Sequence, residues 1–167
     1  MTKIALGVAA LLIGSVASAG QAADRANQAV AAPQAFPNLT LIYAMSGVRD
    51  SGSADNTGVA TTLHCTNFTS STQQIRFVVR NFNGAVVANL TSNIGALVTV
   101  TRSTHGTAMT EDLPHLAPGV LINQGAMTIA TTAANFTCTA QTVDAASGLP
   151  LDDLHLTRFA SWPGSQE

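Results

Sequence analysis

Two cysteines, Cys65 and Cys138, are the only cysteines of this 167-residue chain, and each lies in a short run of threonine and apolar residues. Such runs are typical of β-strands. Because the chain also begins with an export signal, the sequence predicts one disulfide that joins two strands distant in sequence. A bridge closing a loop of this size stabilises the fold by about 4 kcal/mol in the chain-entropy model. The alternatives, a redox-active pair or two metal ligands, lack a C-x-x-C motif and a surrounding cluster of histidines.

The export signal consists of Lys3, an apolar run over residues 4–16 and a cleavage motif that ends at Ala19. The run is too short to span a bilayer, which takes about 20 residues. We therefore expect residues 1–19 to be a signal peptide, with cleavage after Ala23 as the alternative site. A mature chain that is periplasmic or secreted, with no membrane span after signal removal, follows from this reading.

Charge limits the class of partner. Charged residues make up 10% of the chain, with seven lysine and arginine residues against nine aspartate and glutamate residues. Lys3 is the only lysine. A weakly acidic chain without basic clusters fits neither the phosphate backbone of nucleic acids nor an anionic membrane surface. We expect no nucleic-acid partner.

The domain organisation is simple. Residues 20–36 are rich in alanine and glutamine and read as a flexible leader, and residues 37–167 read as one domain. Within the domain, apolar and polar residues alternate in short runs separated by Gly, Asn, Ser and Pro. Roughly seven to nine short strands of this kind predict an all-β fold, a single two-sheet antiparallel β-sandwich.

Several local expectations accompany this fold. The third strand should turn Ile75, Phe77 and Val79 inward and both of its arginines, Arg76 and Arg80, outward. The first strand is expected at residues 39–45 and the last at residues 154–159. Residues 120–122 and 126–131 are expected as two separate strands, and one short helical turn is expected within residues 109–116.

The domain resembles an immunoglobulin-like domain over residues 39–159. Cys65, preceded by Leu63 two residues earlier, resembles the second-strand cysteine of that family, and Cys138 resembles its sixth-strand partner. The position of the family's corner tyrosine holds Phe136, and the position of its core tryptophan holds Phe77. The resemblance implies a sandwich architecture and no particular activity.

Candidate metal ligands occur in two similar stretches, each with two carboxylates and one histidine, which could bind zinc or copper if they converged. A third, looser set of two histidines and one methionine would suit copper. The simpler interpretation is solvated loop ends, so no cofactor is expected. The candidate residues are His105, Met109, Glu111, Asp112, His115, Asp152, Asp153 and His155.

Three function classes remain. The leading one is a non-enzymatic binding or structural module that contacts a protein, a glycan or another copy of itself, since no catalytic constellation is found. The alternatives are a periplasmic copper or zinc binding protein and a fibre or surface-assembly subunit whose leader adds a strand to a neighbour's sheet. Trp162, near the end of the chain, is a candidate partner contact.

Overall fold

The computed structural model of the protein describes residues 39–52, 54–108 and 114–159. These residues form nine strands and contain no helix. The strands are β1 Thr40–Ser51, β2 Val59–Asn67, β3 Gln73–Asn81, β4 Val86–Ile94, β5 Thr99–Ser103, β6 Leu121–Thr131, β7 Phe136–Asp144, β8 Pro150–Leu154 and β9 Leu156–Arg158.

The strands form two antiparallel sheets, as the alternation of apolar and polar residues predicts. One sheet has five strands in the order β4-β3-β6-β1-β9, and the other has four in the order β5-β2-β7-β8. Their inner faces share one apolar core, in which Leu63 and Phe136 of the smaller sheet and Phe77 and Ile129 of the larger one are fully buried. The prediction of a two-sheet antiparallel sandwich is confirmed.

The predicted disulfide is present between Cys65 and Cys138. The two residues lie directly opposite each other on the neighbouring strands β2 and β7, with 4.2 Å between their Cα atoms and a sequence separation of 73. In immunoglobulin domains the corresponding bridge links the two sheets. Here it lies within the four-stranded sheet, so that the sheets are held to each other by other contacts.

Strand β3 buries its predicted inner face. Ile75, Phe77 and Val79 point inward and are fully buried. Arg76 is also only 4% exposed, and its Nε donates a hydrogen bond to Asn89 Oδ1 on β4 at 2.8 Å. Because β3 has a neighbouring strand on each side, the arginine stem packs along the sheet and its guanidinium group reaches a partner on the next strand.

Two strands are longer than expected because a glycine that reads as a break lies inside each. β1 continues past Gly47, which has a φ of +84° and accompanies a shift of register between Ser46 and Val48. β6 is one strand through Gly125, where a Cβ would lie 2.8 Å from the carbonyl oxygen of Arg80. Glycine in these places permits a bulge and a close backbone approach.

The end of the domain also differs from the expectation. Residues 150–154 form β8, although the paired aspartates in this stretch suggested a solvated loop. The last strand, expected at residues 154–159, is the three-residue β9. No helix of the described segments is long and apolar enough to cross a membrane. The predicted signal peptide, the leader, Trp162 and most of the expected helical turn lie outside the described residues.

Candidate binding surface

His105 belongs to a buried hydrogen-bond network that fastens two loops at one end of the sandwich. Its Nδ1 lies 2.9 Å from Asp50 Oδ2 and its Nε2 lies 3.0 Å from the carbonyl oxygen of Thr57. The second carboxylate oxygen of Asp50 accepts a hydrogen bond from the amide of Gly52 at 2.6 Å. The side chains of His105 and Asp50 are both fully buried. The histidine that looked like a candidate ligand therefore has both ring nitrogens engaged within the protein.

This arrangement can hold a loop but leaves no position for a substrate or a metal ion. Asp50 and the carbonyl oxygen of Thr57 each lie within hydrogen-bond distance of one nitrogen of the His105 ring, so both ring nitrogens have a partner inside the protein. A ligand at either nitrogen would displace one of these bonds and leave a buried acceptor unpaired. The network therefore connects the loop after β1 to the segment after β5.

His115 lies near the same end but does not join this network. Its Nε2 is 3.9 Å from Asp55 Oδ1, and its side chain is 12% exposed. Asp55 instead accepts a hydrogen bond from the amide of Gly106 at 2.8 Å. The Nδ1 atom of His115 is buried without a hydrogen-bond partner among the described residues. One histidine beside one carboxylate is too few ligands for a zinc or copper site.

The remaining metal candidates are not gathered around these histidines. Asp152 and Asp153 are exposed on β8, and His155 is exposed just after it. Within the described parts of the chain, no three His, Cys, Asp or Glu side chains are placed to hold a metal ion. Met109, Glu111 and Asp112 lie outside the described residues.

A cluster around Tyr43 connects the two sheets. The hydroxyl of Tyr43 on β1 donates to the carbonyl oxygen of Phe136 on β7 at 3.1 Å. Arg158 on β9 donates from Nη1 to both of these oxygens, at 3.1 and 3.2 Å, and from Nη2 to the carbonyl oxygen of Ala134 at 2.7 Å. The carbonyl oxygen of Phe136 on β7 thus accepts hydrogen bonds from two side chains of the other sheet, Tyr43 on β1 and Arg158 on β9.

A small cavity adjoins this cluster. It is lined by Thr40, Ile42, Thr132, Ala133 and Ala134, together with Arg158. Its only charged side chain among these is that of Arg158, which the carbonyl oxygens and the tyrosine already bind. The lining thus offers apolar contact and hydroxyl groups but no acid, base or nucleophile arranged for catalysis.

Exposed apolar side chains lie at both ends of strand β4, at the edge of the five-stranded sheet. Phe82 and Val86 precede or begin the strand and are 78% and 49% exposed, while Leu97 and Val98 follow it and are 71% and 48% exposed. We call β4 with these four residues the β4 edge surface. Residues 81–101 include no Asp, Glu, Lys or Arg. That charge-free run is the sequence signal by which this surface could have been noticed.

Asn67 fixes the loop that carries one end of this surface. Its buried Nδ2 group donates to the carbonyl oxygens of Ser71, Ile94 and Gly95, at 2.9, 3.1 and 2.9 Å. The main-chain amide of Asn67 donates a further hydrogen bond to the carbonyl oxygen of Val98 at 3.0 Å. The turn from Gly95 to Val98 is therefore held in one position, and Leu97 is presented on a rigid support.

Comparison with known proteins leaves the family open. No protein-family model and no curated protein matches the chain. Among solved structures, the crystal structure of Thermotoga maritima 1070 is similar, with 10% sequence identity and a TM-score of 0.42, over 76% of this chain and 96% of that one. A similarity of this size carries no argument about family or activity.

Proposed function

We propose that the protein is an exported, non-enzymatic binding or structural module that contacts another polypeptide through the β4 edge surface. The observation that carries the proposal is that exposed apolar side chains lie at both ends of an edge strand that itself contains no charged residue. Apolar centres with polar, uncharged surroundings are typical of protein contact surfaces. Phe82 is the most exposed of these side chains and the first candidate for a contact residue.

The internal use of the polar groups supports a binding role over catalysis. A catalytic histidine needs a nitrogen within reach of a substrate proton. His105 has both nitrogens engaged by Asp50 and Thr57. The disulfide supports the export part of the proposal, because such bridges persist in oxidising compartments. An immunoglobulin-like relationship and a bound copper or zinc ion stay predictions from the sequence.

Cross-linking in cells that export the protein tests this function. A short-range cross-linker should join the wild type to another polypeptide, either a second copy or a different chain, and Phe82→Asp should lower the yield by about tenfold. Leu149→Asp is the matched control. Leu149 is also a large, exposed apolar residue, but it lies between β7 and β8. Equal yields for both variants, or turnover of a substrate by the purified protein, would contradict the proposal.

A further inference from the structure

The four sheet edges differ in how they are protected against pairing. Free edges attract further strands, and proteins block them with short length, charge or proline. β9 has three residues and includes Arg158, β5 has five and includes Arg102, and β8 includes Pro150 and two aspartates. β4 has nine residues and contains neither proline nor a charged residue, although Arg76 of β3 donates a hydrogen bond to its Asn89. Among the described strands, β4 pairs only with β3, so its other side is open.

The open side of β4 is suited to a second copy of the same strand. Residues 88–94 pair with β3 in an unbroken register, and the only shift lies at the start of the strand, between Val79 and Arg80 of β3. An antiparallel pair of these segments about a two-fold axis would place Thr91, the middle residue, opposite its own copy. Such a pairing is isologous and brings no like charges together.

The exposed apolar residues at the two ends of β4 fit this arrangement. Phe82 and Val86 lie at the start of the strand, and Leu97 and Val98 lie just beyond its end. Antiparallel pairing sets the start of one copy beside the end of the other. Each apolar pair would then meet the other pair of the second copy, which adds apolar contact at both ends of the hydrogen-bonded strands.

Leu97 gives independent support, because neither the backbone conformation nor core packing at this position favours a leucine. Its φ is +59°, a left-handed conformation that favours glycine or asparagine, and its side chain is 71% exposed. A glycine would fit the turn with less strain. Strained residues that expose their side chains are candidates for a role in binding.

We propose that two copies of the protein associate through their β4 strands, in antiparallel pairing, so that the two five-stranded sheets become continuous. This inference rests on the proposed function and names its partner as a second copy of this chain. The hydrogen bonds come from the main chain of β4, and the apolar contacts come from Phe82, Val86, Leu97 and Val98. The association is a form of β-strand addition.

Sedimentation equilibrium of the mature, disulfide-bonded protein over about 1 µM to 1 mM tests the pairing. We expect a dimer whose dissociation constant rises at least about tenfold in Thr91→Glu. In the monomer the new carboxylate lies opposite Arg76 of β3, so we expect the variant to fold. In the dimer the same carboxylate would lie opposite the equivalent carboxylate of the second copy, across the two-fold axis. Thr139→Glu, on the exposed face of the inner strand β7 and opposite His64, is the matched control and should dimerise like the wild type.

Leu97→Gly separates association from folding. Its midpoint of chemical unfolding should equal or exceed that of the wild type, while its dimer should weaken by about tenfold. Amide hydrogen exchange of β4 should slow as the wild-type concentration rises. A wild type that stays monomeric throughout, a Thr91→Glu variant that dimerises normally, or equal weakening by Thr139→Glu would overturn the pairing.

The two proposals can fail separately. A wild type that is monomeric at all concentrations, but forms a Phe82-dependent cross-link to a different polypeptide, overturns pairing between copies and supports the binding function. A monomer without any Phe82-dependent cross-link overturns both. Dimers that depend on Thr91 and Leu97 support both.

Discussion

Single polar side chains in this protein hold loops in place, although the same side-chain chemistry would also suit ligand binding. His105 was a candidate metal ligand because of its residue type, but Asp50 and Thr57 occupy its two nitrogens. Only the folded chain brings these residues together, since His105 lies 55 residues after Asp50. Residue type therefore indicated the chemistry that is available, and the neighbours decided how it is used.

The buried pair of Asp50 and His105 should contribute strongly to stability. Asp50→Ala leaves the buried Nδ1 of His105 and the amide of Gly52 without their partner, so we expect the free energy of unfolding to fall by about 3–5 kcal/mol. Asp55→Ala is the control, because Asp55 is exposed and its loss should cost less than about 1.5 kcal/mol. Chemical denaturation measures both. Similar losses in the two variants would argue against the fastening role.

Asn67 allows a sharper test, because one amide group donates to three carbonyl oxygens. Asn67→Ala should lower the free energy of unfolding by about 1–3 kcal/mol. Asn67→Asp keeps the size of the side chain but turns a carboxylate oxygen toward those carbonyl oxygens, and should be the more damaging change. Chemical denaturation of the two variants decides the point; an aspartate variant more stable than the alanine variant would contradict it.

At the scale of elements, the alternation of residues predicted where strands lie better than where they end. β1 and β6 run through Gly47 and Gly125, which in sequence look like breaks. The reason for Gly125 is the carbonyl oxygen of Arg80 on the neighbouring strand, which a Cβ would approach to 2.8 Å. A contact with another strand cannot be read from the residues on either side of a glycine.

The turn between β7 and β8 gives a prediction about pH. The hydroxyl and the amide of Ser147 donate to Asp144 Oδ1 at 2.6 and 2.9 Å and hold the pKa of Asp144 below its usual value of 3.8. A carboxyl group with a lowered pKa stabilises the folded state at higher pH, and this contribution is lost as the pH falls through the folded-state pKa.

An NMR titration of the Asp144 carboxyl carbon checks this prediction. The midpoint should lie below 3.8 in the wild type and move upward in Ser147→Ala, because the hydroxyl donor is the largest cause of the shift. An unchanged midpoint for Asp144 would show that Ser147 does not hold this turn.

At the scale of the whole molecule, the disulfide and the contacts between sheets have different roles. The Cys65–Cys138 bridge lies within the four-stranded sheet and connects two strands that already pair. The sheets are joined by the shared apolar core and by the hydrogen bond from Tyr43 to Phe136. Removing the bridge should therefore lower stability without changing the pairing of the sheets.

The double variant Cys65→Ala/Cys138→Ala tests this view. Because the bridge closes a loop between residues 73 positions apart, its loss should lower the free energy of unfolding by about 4 kcal/mol. The far-UV circular dichroism spectrum at low temperature should stay that of the wild type. A variant that is as stable as the wild type would contradict the prediction. So would a variant whose far-UV circular dichroism spectrum at low temperature, without denaturant, has lost the strand signal.

The sequence by itself determined the all-β class, the two-sheet sandwich and the disulfide, because alternation, turn residues and two cysteines in strand-like runs are local signals. It also determined the inward face of β3, because Ile75, Phe77 and Val79 occupy alternate positions while Arg76 and Arg80 occupy the opposite face. Only the tertiary structure decided that the bridge lies within one sheet, that Asp50 and Thr57 engage the two nitrogens of His105, and that β4 is an edge strand that pairs, among the described strands, with β3 alone. These features depend on which strands become neighbours, and that is set by packing between residues far apart in the chain.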